Sequence, residues 1–457
     1  ALLESVPGAI GGRLSGVRLK PDGWTARCTL EMAGPSRTVS ARARILPPTD
    51  GARLPGPRAG DGPGSPGWRC PVPRLNLHLE PAVDRDDDLP ALRLLTDPER
   101  ARPLLESAIR AAGPAYQDLR IVAVTPRVMR HSPGSRCTVL FELELPREQR
   151  DAAWPEVVVA KTYHRADKGQ VAWDGMRALW DSQMSRSDTV AIAEPLAWMP
   201  EERILVQGPI GQEHTLKELV LRSMGAPSRR STGEVKELFA STAAGLAQLH
   251  TCGVTVGRTA TWDDELGGVR RVLAVLESAM PELRGAADEY LAHVERSAAM
   301  VAPDPAGPAH RSFRPAQVLL HAGRIGFIDF DGFCQAEPAI DVGLFRATVR
   351  DLSMSVLPAT IPLAERLIAV DDLSDHFLDC YSALAPISRE RLALWETLDL
   401  VTTVLHAWTK VKPARLEWAF DLLRHVAGPP EQLTPSAGPL RGTPPSGTSA
   451  QAIDQRP

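Results

Sequence analysis

Apolar and polar residues alternate from the start of the chain. GVRLK, WTARCTLEM and RTVSARARIL each carry that period of two, with β-branched residues, and predict short strands of a small antiparallel sheet. Residues 47–68, PPTDGARLPGPRAGDGPGSPGW, break every pattern, and their Gly and Pro density predicts a flexible loop or linker. CPVPRLNLHLEP reads as one more strand. DPERARPLLESAIRAAG has helical spacing, with Asp97 as its cap, Pro98 in its first turn and Gly113 at its end. From 118 the alternation returns in LRIVAVTPRVMRHS, RCTVLFELEL and EVVVAKTYH, which predicts strands joined by hairpins. GQVAWDGMRALWDSQ then predicts a helix, and AIAEPLAWMP and RILVQGP two strands around a turn.

Beyond about 214 the helical period dominates. STGEVKELFASTAAGLAQLHTCG predicts a long helix opened by a Ser231–Glu234 capping box. LRGAADEYLAHVERSAAM and RERLALWETLDLVTTVLHAWTKV predict two more, with strand-like RIGFIDFD between them. The tail from Gly428 is rich in Gly, Pro, Ser and Thr and is expected to be disordered. Strands first and helices afterwards predict two lobes with a cleft between them.

Composition narrows the partners. The chain has 457 residues, enough for two to three domains with buried cores, and a formal net charge of −4. That balance points away from a general nucleic-acid binder. No apolar run reaches the roughly 18 residues that span a bilayer, and ALLESVPGAIGGRL lacks the basic leader of a signal peptide. The expected location is cytoplasmic, and the Ala, Arg and Pro usage has a high-GC bacterial flavour. Cys28, Cys70, Cys137, Cys252, Cys334 and Cys380 form no CxxC pair, so zinc is not expected and reduced thiols are. The acidic run Asp84, Asp86, Asp87 and Asp88 lacks a calcium-loop glycine and reads as a solvated turn before a helix.

The remaining signals concern chemistry. Phosphoryl transfer needs a loop over the phosphates, a strand lysine, acidic or amide oxygens for Mg²⁺ and a group that orients the acceptor hydroxyl. Lys161 ends the apolar strand VVVAKTY, where it is either a phosphate-holding lysine or a surface one. Gly134 and Ser135 form a turn upstream whose N–H groups can face a phosphate. Asp329 follows four apolar residues in RIGFIDFDG, a costly place for a carboxylate without a cation or donor beside it. Asp331, two residues on, points to the same side of an extended segment. Capping of the next loop is the alternative.

On these residues, about 118 to 425 resemble the aminoglycoside phosphotransferase and choline kinase family, which shares the fold of protein kinases. His310, Arg311, Ser312 and Gln317 in HRSFRPAQVLL match its His-Gly-Asp, four residues, Asn loop. GFIDFD matches its metal-binding strand, and EPAIDVGLF its Asp-Pro-x-x-Asp-Leu segment. The resemblance implies an α+β, two-lobed, protein-kinase-like fold with an additional N-terminal α/β segment. It divides the chain into 1–113, an N-terminal extension; 114–213, the β-rich lobe and hinge; 214–427, the helical lobe; and 428–457, the tail. It implies ATP and Mg²⁺ as cofactors. Asp329, Gln317 and Asp331 would hold Mg²⁺, and Lys161 the phosphates. The backbone at Val206 to Gly208 would meet adenine, Asp341 would brace the catalytic loop, and His250 stands on the helix before it. Of the acids after Lys161 (Asp167, Asp174, Asp181), Asp174 is expected to pair with it.

The departures leave two functions open. Ser312 stands where the family carries its aspartate base, and losing a base typically costs about 10²- to 10⁴-fold. Arg311 replaces a glycine and can contact a phosphate or acidic substrate. One reading is an ATP-dependent phosphotransferase acting on a hydroxyl of a small molecule or peptide. The other is a pseudokinase that binds nucleotide, or a partner protein, without transfer. Neither expects a nucleic acid or a membrane. WDDEL at 262–266 is the one acidic cluster where a polyamine-like acceptor would lie, and reads as a solvated loop.

Overall fold

The computed structural model describes residues 2–428 except 21–22, 34–36, 46–67, 73, 75–76, 82–85, 87, 133, 150–153, 227–228, 278–280 and 359. The expected loop at 47–67 and the expected tail from 429 therefore lie outside the described residues, as do Asp84 and Asp87.

The alternating segments form an antiparallel sheet of Ala9–Lys20, Gly23–Met32, Arg37–Ile45, Leu77–Pro81 and Cys70–Val72, in that spatial order. CPVPRLNLHLEP thus supplies two strands rather than one. One face of the sheet buries Cys28, Leu30, Ala41, Val72 and Leu79 in a small core of its own. Asp97 caps the helix Pro98–Arg110 by accepting from the Glu99 N–H at 3.1 Å. That helix does not pack on the first sheet. Its Leu105 and Ile109 join Val139, Phe141, Val158 and Val206 in a second core.

The second core lies on a five-stranded antiparallel sheet ordered Pro195–Met199, Ile204–Gln207, Val157–Tyr163, Arg136–Glu144, Ala123–Ser132. Register sets Lys161 opposite Thr138 on one neighbour and Leu205 on the other, in the middle of the sheet. The helix Ala166–Trp180 follows directly and turns Ala172, Met176 and Leu179 inward.

The third and largest core belongs to the helical part, built from Leu216–Gly225, Arg229–Thr251, Trp262–Glu277, Pro281–Ala298, Ala339–Val356, Leu363–Ser382, Arg389–Thr409 and Pro413–Ala427. The helix Arg229–Thr251 starts before Ser231, so the expected Ser231–Glu234 box does not open it. The reciprocal box occurs one helix earlier, where Thr215 and Glu218 satisfy each other's backbone N–H groups. WDDEL is the first turn of a helix and not a loop, with Asp264 bonded to the Thr261 N–H and hydroxyl. The hairpin Val318–His321 with Arg324–Phe327 is embedded in this lobe beside Val190–Ile192. Its last strand delivers Asp329 to the boundary between the sheet and the helices. No described helix is long and apolar enough to cross a membrane.

Candidate active site

Two strands carry the chemistry to one point. Val157–Tyr163 brings Lys161 from the sheet, and the chain after Arg324–Phe327 brings Asp329 and Asp331 from the helical lobe. Lys161 Nζ lies 3.0 Å from Asp329 Oδ1 and 2.9 Å from Asp331 Oδ1. Arg136, at the start of the adjacent strand, grips Asp329 with both terminal nitrogens at 3.0 and 3.1 Å and also bonds Asp331. The Tyr163 hydroxyl donates to Asp331 Oδ1 at 3.1 Å. Two carboxylates are thus faced by two cations, which answers the repulsion that Asp329 and Asp331 would otherwise suffer.

The electrostatics follow. Burial alone would raise the Asp329 carboxyl, but Lys161 and Arg136 hold it far below the ordinary carboxylate range. Burial opposes the charge on Lys161, and Asp331 and Asp329 outweigh it, so its pKa stands above the usual lysine value. Burial and the neighbouring Asp331 push the Tyr163 phenol well up, so it remains a donor. Asp174, the expected partner of Lys161, is exposed and bonds Gln170 instead, at 2.8 Å. The physical reason is the helix face: Gly169, Ala172, Gly175 and Met176 point inward, and Gly175 lets Phe333 approach so closely that an added Cβ would stand 2.8 Å from its ring.

The catalytic-loop positions are rigidly held. Asp341 is wholly buried and accepts from the His310 N–H at 2.6 Å, the Phe313 N–H at 3.3 Å and His250 Nε2 at 3.3 Å. His250 in turn bonds the Tyr381 hydroxyl at 2.7 Å. Burial would raise Asp341, but the His250 hydrogen bond and nearby charge keep it below the ordinary value. His310 Nε2 lies 3.0 Å from the Ile328 carbonyl, an acceptor only, so that nitrogen carries the proton and Nδ1 is left to accept. Ser312 Oγ sits 3.2 Å from Nδ1. Arg311 has φ +63°, the left-handed conformation that the family's glycine would adopt freely and that costs other residues about 1–2 kcal/mol. Its guanidinium pairs with Glu265 at 2.6 and 2.7 Å.

Gln317 Nε2 reaches toward Ser312 Oγ at 3.5 Å, while its Oε1 is buried without any hydrogen-bond partner. A buried orphan oxygen is costly. Set beside two carboxylates, an amide oxygen of this kind fits a hard divalent cation such as Mg²⁺, which takes oxygen ligands and shares them with phosphate. Among the described residues no three His, Cys, Asp or Glu side chains converge as a metal site.

The nucleotide-side expectations fare unevenly. Ser135 lines the cleft. Gly134 takes φ +65°, but its N–H donates to Asp86 at 2.8 Å and so does not face the cleft as a free phosphate donor. Asp86 is buried and also bonds His131 at 2.9 Å; the expected solvated turn is there a clamp on the glycine turn. The Val206 side chain is in the second core, and the Gly208 N–H donates to the Glu194 carbonyl at 2.8 Å, which leaves it no proton for an adenine ring. Sequence patterning missed Arg136 altogether: it starts a strand opposite Tyr163, and its partner Asp329 lies 193 residues away.

Residues 206–368 match the model of the Phosphotransferase enzyme family. A search of curated proteins returns no match. Among solved structures, the chain is similar to choline kinase of Streptococcus pneumoniae (14% identity, 71% of this chain and 99% of that one, TM-score 0.45). It is also similar to choline kinase of Cryptosporidium parvum (12%, 71% and 94%, TM-score 0.48) and to spectinomycin phosphotransferase solved with ADP and spectinomycin (12%, 74% and 99%, TM-score 0.44). The chain carries a domain of the phosphotransferase enzyme family over residues 206–368.

Proposed function

We propose that this protein is an ATP- and Mg²⁺-dependent phosphotransferase acting on a hydroxyl, with a serine–histidine pair in place of the aspartate base. The observation that carries the reading is the hydrogen bond between Ser312 and His310 in the cleft that also holds Lys161, Asp329 and Gln317. Asp329, Asp331 and the Gln317 amide oxygen would hold the metal, which supplies charge neutralisation on the transferring phosphoryl group when bound. Lys161 and Arg136 bind phosphate oxygens from the sheet side. Ser312 Oγ accepts the proton of the acceptor hydroxyl while its own proton passes to His310 Nδ1, and Nε2–H stays on the Ile328 carbonyl. The acceptor oxygen thus becomes the nucleophile, and ADP leaves. A loose transition state asks little of the base, so a weak relay suffices.

A second reading has its own observation. Arg136 grips Asp329 at two points, and with Lys161 it already balances both carboxylates. A pseudokinase that binds nucleotide without metal-dependent transfer would look the same. Calorimetry with ATP, with and without Mg²⁺, and a phosphoryl-release assay separate them. For a kinase, Asp329→Ala abolishes Mg²⁺-dependent binding and turnover, and Ser312→Ala lowers turnover at least tenfold with little change in nucleotide affinity. Ser312→Asp restores or raises it. Metal-independent binding with no turnover in any variant would establish the second reading instead.

A further inference from the structure

We propose that the ligand seated on the helical-lobe side of this cleft is a polyanion, carrying two or more carboxylate or phosphate groups, rather than a polyamine. The cleft encloses about 720 Å³, and seven arginine or lysine side chains line it against three carboxylates. Those three are already satisfied, Asp329 and Asp331 by Lys161 and Arg136, and Glu265 by Arg311. Arg18, Arg130, Lys168, Arg258 and Arg314 make no ion pair and no side-chain hydrogen bond among the described residues. So many uncompensated cations in a chain whose net charge is −4 is a concentrated field of the opposite sign.

The adjoining cavity points the same way. It encloses about 300 Å³ beneath the catalytic loop and shares Glu265, Arg311 and Arg314 with the cleft. Its own acids offer little to a cation. Asp351 is taken by Arg415 and Trp418. Burial pushes Asp399 well above the ordinary carboxylate range, against the pull of the nearby Arg314. Lys410 on the same wall has no ion-pair partner among the described residues, and burial with Lys412, Arg314 and Arg18 nearby lowers it to about 8. Among the described residues lining it, the carboxylate oxygen without a hydrogen-bond partner is Asp399 Oδ2, which lies in the field of Arg314, while an anion would relieve the mutual repulsion of these cations. Nucleotide phosphates account for Lys161 and Arg136 at the sheet side. They do not account for Arg258 and Arg314 on the helical side, nor for Arg18, which comes from the first sheet.

This inference rests on the cleft proposed above as the binding site, but not on phosphoryl transfer. The test is fluorescence anisotropy with a labelled oligoglutamate peptide, competed by inorganic pyrophosphate or by spermine, with saturating ATP and Mg²⁺ present. The expected result is peptide binding that weakens at least about tenfold from low to raised salt. The Arg258→Gln, Arg314→Gln double variant should weaken it by about tenfold or more, Lys236→Gln, a lysine outside the cleft paired with Asp372, should leave it within about twofold, and spermine should not compete. If pyrophosphate displaces the peptide while nucleotide is bound, the anion is phosphate-bearing; if only the peptide binds, it is carboxylate-bearing. Either supports the inference. Spermine binding more tightly than the peptide, no binding of either anion, or a loss of binding in Lys236→Gln as large as in the double arginine variant would overturn it. Oligoglutamate offers no acceptor hydroxyl, so anion binding here stands or falls apart from the turnover tests above, and failure of the kinase reading in those tests would leave this inference standing.

Discussion

Asp329 and Lys410 show opposite consequences of charge in this cleft. Asp329 is depressed by its cations, so its stabilisation is full above the unfolded carboxylate pKa of about 3.9 and is lost only as pH falls well below it. Lys410 is depressed by burial and by other cations, so its charge opposes folding wherever the unfolded lysine is also protonated. That opposition is fully present below about pH 8 and disappears as pH rises past the unfolded value of about 10.4. Lys410→Met is therefore expected to raise unfolding stability by about 1–2 kcal/mol at pH 7, with the gain gone above about pH 10.5. Urea denaturation at several pH values measures it; a gain constant across pH would mean that packing, not charge, is responsible. The same scale shows what sequence can and cannot reveal. Asp329 and Asp331 stand out because four apolar residues lead into them. Arg136 does not, because its partner lies 193 residues away and nothing local marks it. Asp174 misleads for another reason: the helical period that places it outside was legible, but acidity alone was taken as the signal.

At the scale of elements, the site depends on a few close joints. The strand Gly307–Ala309 pairs with Cys334–Ala336, and Glu337 just beyond it accepts two buried hydrogen bonds from Arg391, at 2.5 and 2.7 Å. That pair ties the segment after Asp331 to the helix Arg389–Thr409. Breaking a buried pair on one side leaves an uncompensated charge and costs about 3–5 kcal/mol. Glu337→Ala is expected to lose stability in that range, measured by chemical denaturation, whereas a joint Glu337→Gln, Arg391→Met change should recover much of it. Equal loss in both would show that the segment's geometry, and not the stranded guanidinium, sets the cost. Elements were largely readable from period: the strand Val157–Tyr163, the helix Pro98–Arg110 and the hairpin before Asp329 follow their patterns. The failures were at starts. Ser231 has the residue type of a cap, yet the helix begins upstream of it at Arg229.

The whole molecule is three cores, and the first reaches the site. The sheet of residues 9–81 keeps its own interior, yet Leu19 packs on the large helical core and Arg18 beside it enters the cleft. The acidic stretch after that sheet places Asp86 on the glycine turn of the second sheet, so the extension holds the lobes at two points. No periodicity announces such contacts, since they join residues distant in sequence. If docking rather than folding is what Leu19 provides, Leu19→Asp should separate the two. A carboxylate on that contact is costly against an apolar surface, while the sheet's own core of Cys28, Leu30 and Leu79 is untouched. Hydrogen exchange should rise at the C-terminal end of Arg389–Thr409 and along the strand Ala9–Lys20. It should stay unchanged in Gly23–Met32, whose hydrogen bonds lie on both sides within the sheet. Exchange rising through all five strands would instead make Leu19 part of the sheet's fold, and no change anywhere would mean that the sheet does not rest on the helical lobe in solution.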